Sequence, residues 1–136
     1  MLKRNKGSLI TFLALPLAFG YIGCSTGDSA DSSVTYENIS GAEAKALMDS
    51  ESGYIIIDAR TQEEYEAGHI PGAILIPEYE IADRAEKELP HKNQLILVYC
   101  RSGRRSKIAA EELANLGYTN VKEFGGIIDW EYETVK

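Results

Sequence analysis

The sequence predicts an α/β protein built on a parallel sheet, and three observations carry that expectation. Short apolar runs alternate with helical patterns at the spacing of strand-helix-strand units. One run, Tyr54-Ile55-Ile56-Ile57-Asp58, is continuously apolar up to its final Asp, as in a strand covered on both faces. Two helix starts carry the same local signature, Ser40 with Glu43 and Thr61 with Glu64, in which each end of the pair caps the other.

Taken in order, residues 34–39 read as a first strand and residues 40–50 as the first capped helix, ended by Gly53. The apolar strand 54–58 follows, then a short helix from Thr61 that Gly68 stops. Residues 73–76 form a strand bounded by Pro71 and Pro77, and residues 78–88 a charged helix. Pro90 and Asn93 lead into the strand 94–99, and a helix over 106–116 is closed by Gly117. Residues 121–124 are the last strand, after which Gly125-Gly126 opens a terminal helix bearing Trp130. There is no internal repeat.

Between the strand ending at Tyr99 and the helix after it lies Cys100-Arg101-Ser102-Gly103-Arg104-Arg105-Ser106. A chain turning there from strand to helix aims successive backbone N–H groups into a small bowl, and the helix start adds positive field. Three arginines deepen it. A cysteine in that bowl has its thiolate favoured over its thiol, and the thiolate is the nucleophile. A core hydrophobe is the plain alternative for one cysteine at a strand end, but no core would hold the polar residues that follow it. Cys100 is therefore the expected catalytic nucleophile, acting on an anionic substrate held by Arg101, Ser102, Gly103, Arg104, Arg105 and Ser106. Ligands of parallel sheets sit at the carboxyl ends of strands, which also places Arg60 beside the pocket. Asp58, at the same strand end, pairs with an arginine or fixes a turn.

The N-terminus reads as an export signal. Lys3, Arg4 and Lys6 precede a charge-free apolar run over 9–23, which Pro16 and Gly20 interrupt and which is shorter than the roughly twenty residues of a spanning helix. Tyr21-Ile22-Gly23-Cys24 resembles the cleavage box of bacterial lipoproteins, with Tyr21 where Leu is usual. That resemblance implies a signal peptide over 1–23, lipid attachment at Cys24, a flexible tether over 24–33, and a domain over 34–136 held outside the cytoplasmic membrane, at that membrane or in the periplasm or outer membrane. Removing three basic residues and no acidic one takes the formal charge from −7 to −10. Nucleic acid is excluded as a partner by that balance, and the arginine loop becomes a local positive spot suited to a small anion. With Cys24 acylated, Cys100 is the one free thiol, and no His/Cys/Asp/Glu spacing suggests a metal.

Four segments together resemble the rhodanese-like sulfurtransferases. They are Asp58-Ala59-Arg60, then residues 64–73 (Glu64-Tyr65-Glu66-Ala67-Gly68-His69-Ile70-Pro71-Gly72-Ala73), then residues 98–106 around Cys100, and last Gly125-Gly126-Ile127 with Trp130. The resemblance implies a single monomeric rhodanese domain, with a five-stranded parallel sheet and helices on both faces. It implies sulfur transfer without a cofactor, from a small anionic donor such as thiosulfate to a thiol or cyanide acceptor, through a persulfide on Cys100. His69 invites a base role that this chemistry does not need once the thiol is ionised, and His91 reads as surface. Trp130 reads as core, and Tyr132, two residues on, cannot share its helix face. Two rivals stand beside this reading. Cysteine phosphatases and arsenate reductases place arginine six residues after the cysteine, where this chain has Ser106. Catalytically silent rhodanese-like modules typically lose the cysteine, which is present here.

Overall fold

The computed structural model describes residues 35–136; the signal peptide expected over 1–23, the lipid attachment expected at Cys24 and the tether expected over 24–33 lie outside the described residues. Five strands, β1 (Glu37–Asn38), β2 (Ile55–Asp58), β3 (Ile74–Leu75), β4 (Ile96–Cys100) and β5 (Val121–Gly126), pair in the order β1-β5-β4-β2-β3, every pair parallel. The helices are α1 (Gly41–Ser50), α2 (Gln62–Ala67), α3 (Ile81–Glu88) and α4 (Arg104–Asn115). Both expected capping boxes form: the Ser40 and Thr61 hydroxyls accept from the N–H of Glu43 and Glu64, whose carboxylates accept from the N–H groups of Ser40 and Thr61. Each such cap is worth about 1 kcal/mol.

Side chains alternate across the sheet, which makes two cores. Ile57, Ala59, Ile96, Val98 and Cys100 pack with Ile81 and Ala85 of α3 and with Ala109, Ala110 and Leu113 of α4. Ile56, Leu97 and Tyr99 pack on the opposite face with Ala44 of α1, Ile70, Ala73 and Phe124, joined by Tyr65 of α2 and Trp130. β4 is buried along its whole length. Its last residue is therefore delivered to the top of the sheet's middle, facing the α3/α4 layer.

Three expectations need correction. The charged segment 78–88 begins as a 3₁₀ turn, Glu78–Glu80, because its start has no side-chain cap, and becomes α-helical only from Ile81. Helix α4 starts at Arg104, two residues early, since Gly103 takes φ of 102° and turns the chain there. The terminal helix is absent: a 3₁₀ turn, Ile127–Asp129, leads into an extended segment. Freed from helical geometry, Trp130 and Tyr132 meet edge to face at 4.9 Å and together wall a groove of about 190 Å³ with Lys45 and Met48 of α1.

Candidate active site

Cys100 ends β4, and the chain turns back over it through Arg101, Ser102 and Gly103 into α4. The turn has a floor. β5 shifts register beside Cys100, so that Gly126 lies opposite it, and Ile128 donates its N–H to the Arg101 carbonyl at 3.3 Å. The fit leaves no room for a side chain at Gly126, where a Cβ would stand 2.0 Å from that carbonyl oxygen. Strand and loop touch backbone to backbone.

The thiol is 1 % exposed, yet it is not an inert core group. Sγ accepts the N–H of Gly103 at 3.0 Å and stands 3.3 Å from the hydroxyl of Ser106. Burial pushes the Cys100 thiol up, but the Ser106 hydroxyl and the N–H groups of Ser106, Gly103 and Ser102 outweigh it, and the thiol lies below its ordinary value. These are the donors that a strand-to-helix turn supplies, as the sequence suggested. Arg101, Ser102 and Arg104 are exposed on the rim, while Gly103 and Ser106 are buried within.

The arginines separate into different roles. Arg105 is held by Glu64 of α2, through Nη1 to Oε2 at 2.7 Å and Nη2 to Oε1 at 2.8 Å. Its guanidinium hydrogen bonds hold the Glu64 carboxyl down at about 2, and its charge is felt at Cys100 as fixed field. Arg60 does not join the bowl. Its Nε and Nη2 bind the fully buried Asp58, Nη2 reaches the Gly68 carbonyl at 2.6 Å, and the residue is 6 % exposed. Asp58 shares the face of Ile56, opposite the face of Cys100, and Arg60 follows its partner there. Asp58 does both things the sequence allowed, pairing with Arg60 and accepting the Arg60 N–H to fix the turn.

Tyr99 completes that network, donating its hydroxyl to Asp58 at 2.7 Å and accepting the N–H of Ile70 at 3.1 Å. Burial, then the Asp58 charge, raise its phenol well above the ordinary value, so it stays a donor. His69 is structural: its Nδ1 lies 3.0 Å from the Tyr65 carbonyl, its ring stacks on Tyr65, and its backbone pairs with Val135. Two residues that sequence reasoning missed, Glu64 and Glu123, touch the site through Arg105 and Ser106. Glu64 was visible only as a capping residue, and Glu123 as one polar position in a short strand.

A family profile described as the rhodanese-like domain matches residues 40–133. This chain belongs to that family. Among curated relatives, the thiosulfate sulfurtransferase PspE of Escherichia coli K12 is 42 % identical over 80 residues, 59 % of this chain and 77 % of that protein. The adenylyltransferase and sulfurtransferase UBA4 of Candida albicans is 33 % identical over 99 residues, but the match is 68 % of this chain and only 23 % of that much longer protein. Among solved structures, a rhodanese from E. coli shares 41 % identity at a TM-score of 0.58, covering 61 % of this chain and 98 % of its own. A rhodanese-like domain protein of Staphylococcus aureus shares 33 % at 0.63, covering 72 % and 94 %. The five-stranded parallel rhodanese fold expected from the sequence is thus the fold found.

Proposed function

We propose that this protein is a sulfurtransferase that carries sulfane sulfur on Cys100, with thiosulfate or a similar small anion as donor. The observation that carries the proposal is the set of donors around one sulfur: Gly103 N–H at 3.0 Å and the Ser106 hydroxyl at 3.3 Å, at the start of a twelve-residue helix. The likeness to the thiosulfate sulfurtransferase PspE of E. coli supports thiosulfate as the donor class. The Cys100 thiolate attacks the outer sulfur of thiosulfate, a new S–S bond forms, the donor's S–S bond breaks, and sulfite leaves with its electron pair. The bowl holds the resulting persulfide anion as it holds the thiolate. A thiolate or cyanide then takes the outer sulfur and returns Cys100 to thiolate. Exposed Arg101 and Arg104 hold the donor's charged end on the rim.

Intact-mass measurement after exposure to thiosulfate is the direct test, with gain of one sulfur in the wild type and none in Cys100→Ser. An equal adduct in the serine variant overturns the assignment. The rival phosphatase reading draws no support from the loop, whose arginine falls five residues after Cys100 and is bound to Glu64.

We further propose export and lipid anchoring at Cys24, on the strength of the segment 1–24 as sequence. The wild type should partition into detergent, and Cys24→Ser should leave an uncleaved precursor. A wild-type protein recovered free of detergent, with its N-terminus elsewhere, ends that proposal and leaves sulfur transfer standing.

A further inference from the structure

Glu123 is a buried carboxylate that the sulfur transfer above does not use. It is 2 % exposed on β5, and its Oε1 accepts the Ser106 hydroxyl at 2.6 Å and the Gly125 N–H at 2.8 Å. The Ser106 oxygen also stands 3.3 Å from Sγ, 3.1 Å from the Gly103 carbonyl and 3.4 Å from the Gly125 carbonyl. A hydroxyl has one hydrogen to give. Four acceptors compete for it, and the carboxylate is both the shortest contact and the charge-assisted one. While that hydrogen points at Oε1, Ser106 offers Cys100 only lone pairs. Lone pairs suit an S–H and oppose an S⁻.

We propose that Glu123 is a positioning residue that sets the reactivity of Cys100 through Ser106, by competing with Sγ for the one hydroxyl hydrogen. The inference rests on Cys100 being the sulfur-carrying nucleophile. Its consequence is a restrained resting cysteine, less ionised than the same bowl would make it with Ser106 free to donate. Loading sulfur moves the negative charge from Sγ to the outer sulfur, one bond farther from the Ser106 hydroxyl's contact with Sγ.

The other charged groups around this pair are fixed by their own partners or stand apart. Arg105 of α4 is bound to Glu64 of α2, with Glu78 near it, and its field reaches Cys100. Tyr36 faces Glu123 from the β1 side, with Glu111 of α4 near it. Arg101 and Arg104 are exposed to solvent.

The test is the pH dependence of iodoacetamide alkylation in the full chain, read at the Cys100 peptide by mass spectrometry so that Cys24 does not contribute. Glu123→Gln leaves a neutral, weaker competitor. Its inflection should move about one unit to lower pH, which raises the rate about tenfold at a pH below the wild-type inflection. Ser106→Ala removes the shared hydroxyl, and with it the competition for its hydrogen. In the Ser106→Ala background the effect of Glu123→Gln should shrink to less than half, as coupling through the hydroxyl requires. An inflection that stays or rises in Glu123→Gln overturns the proposal, because a bracing role alone would loosen the bowl and weaken its donors. A full downward shift without Ser106 overturns it equally, as plain through-space charge. If Glu123→Gln does not fold, Glu123→Leu carries the same expectation. Loading by thiosulfate is read separately by intact mass, so its absence in the wild type sinks the sulfur-transfer reading without touching the alkylation result.

Discussion

Replacing Gly126 by alanine places one methyl group, and nothing else, between β5 and the Cys100 loop. Its Cβ would stand 2.0 Å from the Arg101 carbonyl oxygen, 2.5 Å from the carbonyl carbon and 2.6 Å from the Ser102 Cα. All three are backbone atoms, so no side chain can rotate away. Gly126 has φ of −122°, which alanine adopts freely, and the whole effect is steric. Restoring ordinary contact at 3.4 Å drives strand and loop about 1.4 Å apart at the carbonyl. Overpacking of this kind costs about 1–3 kcal/mol, which lowers the melting temperature of a domain this size by about 5 °C or more. The same displacement pulls the N–H groups of the bowl off Sγ, and a misplacement of about 1 Å costs on the order of a hundredfold in rate. Thermal unfolding, Cys100 alkylation and sulfur loading from thiosulfate should be measured on one preparation. Gly53→Ala is the control: it sits at φ of 71° with open space around it, and should lose a little stability with no change at Cys100. A Gly126→Ala protein that alkylates and loads at the wild-type rate would refute the argument that backbone contact with β5 shapes the bowl.

Tyr99→Phe removes the donor to Asp58 and the acceptor for Ile70 N–H, both buried, and should cost about 1–3 kcal/mol by urea unfolding while leaving Cys100 alkylation in the folded protein unchanged. Asp58→Ala leaves Arg60 buried and unpaired, and its loss should be larger, about 3–5 kcal/mol by the same assay. Glu64 is lowered in the fold from 4.5 to about 2 by Arg105, so its pairing contributes fully above pH 4.5 and is lost as pH falls through about 2. Discounted for partial exposure, that contribution is about 1–2 kcal/mol, and Glu64→Gln should flatten the fall of melting temperature across that window. Arg101→Ala and Arg104→Ala should raise the KM for thiosulfate without changing the melting temperature, since both side chains are exposed.

What the sequence made legible was local. The two capping boxes need only residues three apart, and both formed as read. The Cys100 turn announced itself because Gly103 and its polar neighbours cannot continue a buried strand. What stayed hidden depends on contacts distant along the chain. Arg60 looked like a pocket residue because it follows a strand end, but Tyr99, 41 residues beyond Asp58, closes a network that draws it to the other face. Glu123 sits 17 residues from Ser106, and nothing in Val121-Lys122-Glu123-Phe124 says which of its two polar side chains is enclosed. The terminal helix failed for a related reason: Trp130 finds its packing on Phe124 and Tyr132, and its Nε1 donates to the Glu133 carbonyl, so the segment has partners without becoming helical.

The two outermost strands of the sheet, β1 and β3, are two residues long. A neighbouring molecule seeking to add its own strand would find at either margin only a pair of residues to template on, and next to β3 the chain is interrupted by Pro71 and Pro77. The long apolar strands that would make a sticky margin, β2 and β4, are fenced inside. Such a sheet closes itself off from edge-to-edge growth by brevity at its borders, so copies of the domain can crowd together without recruiting one another into a common sheet.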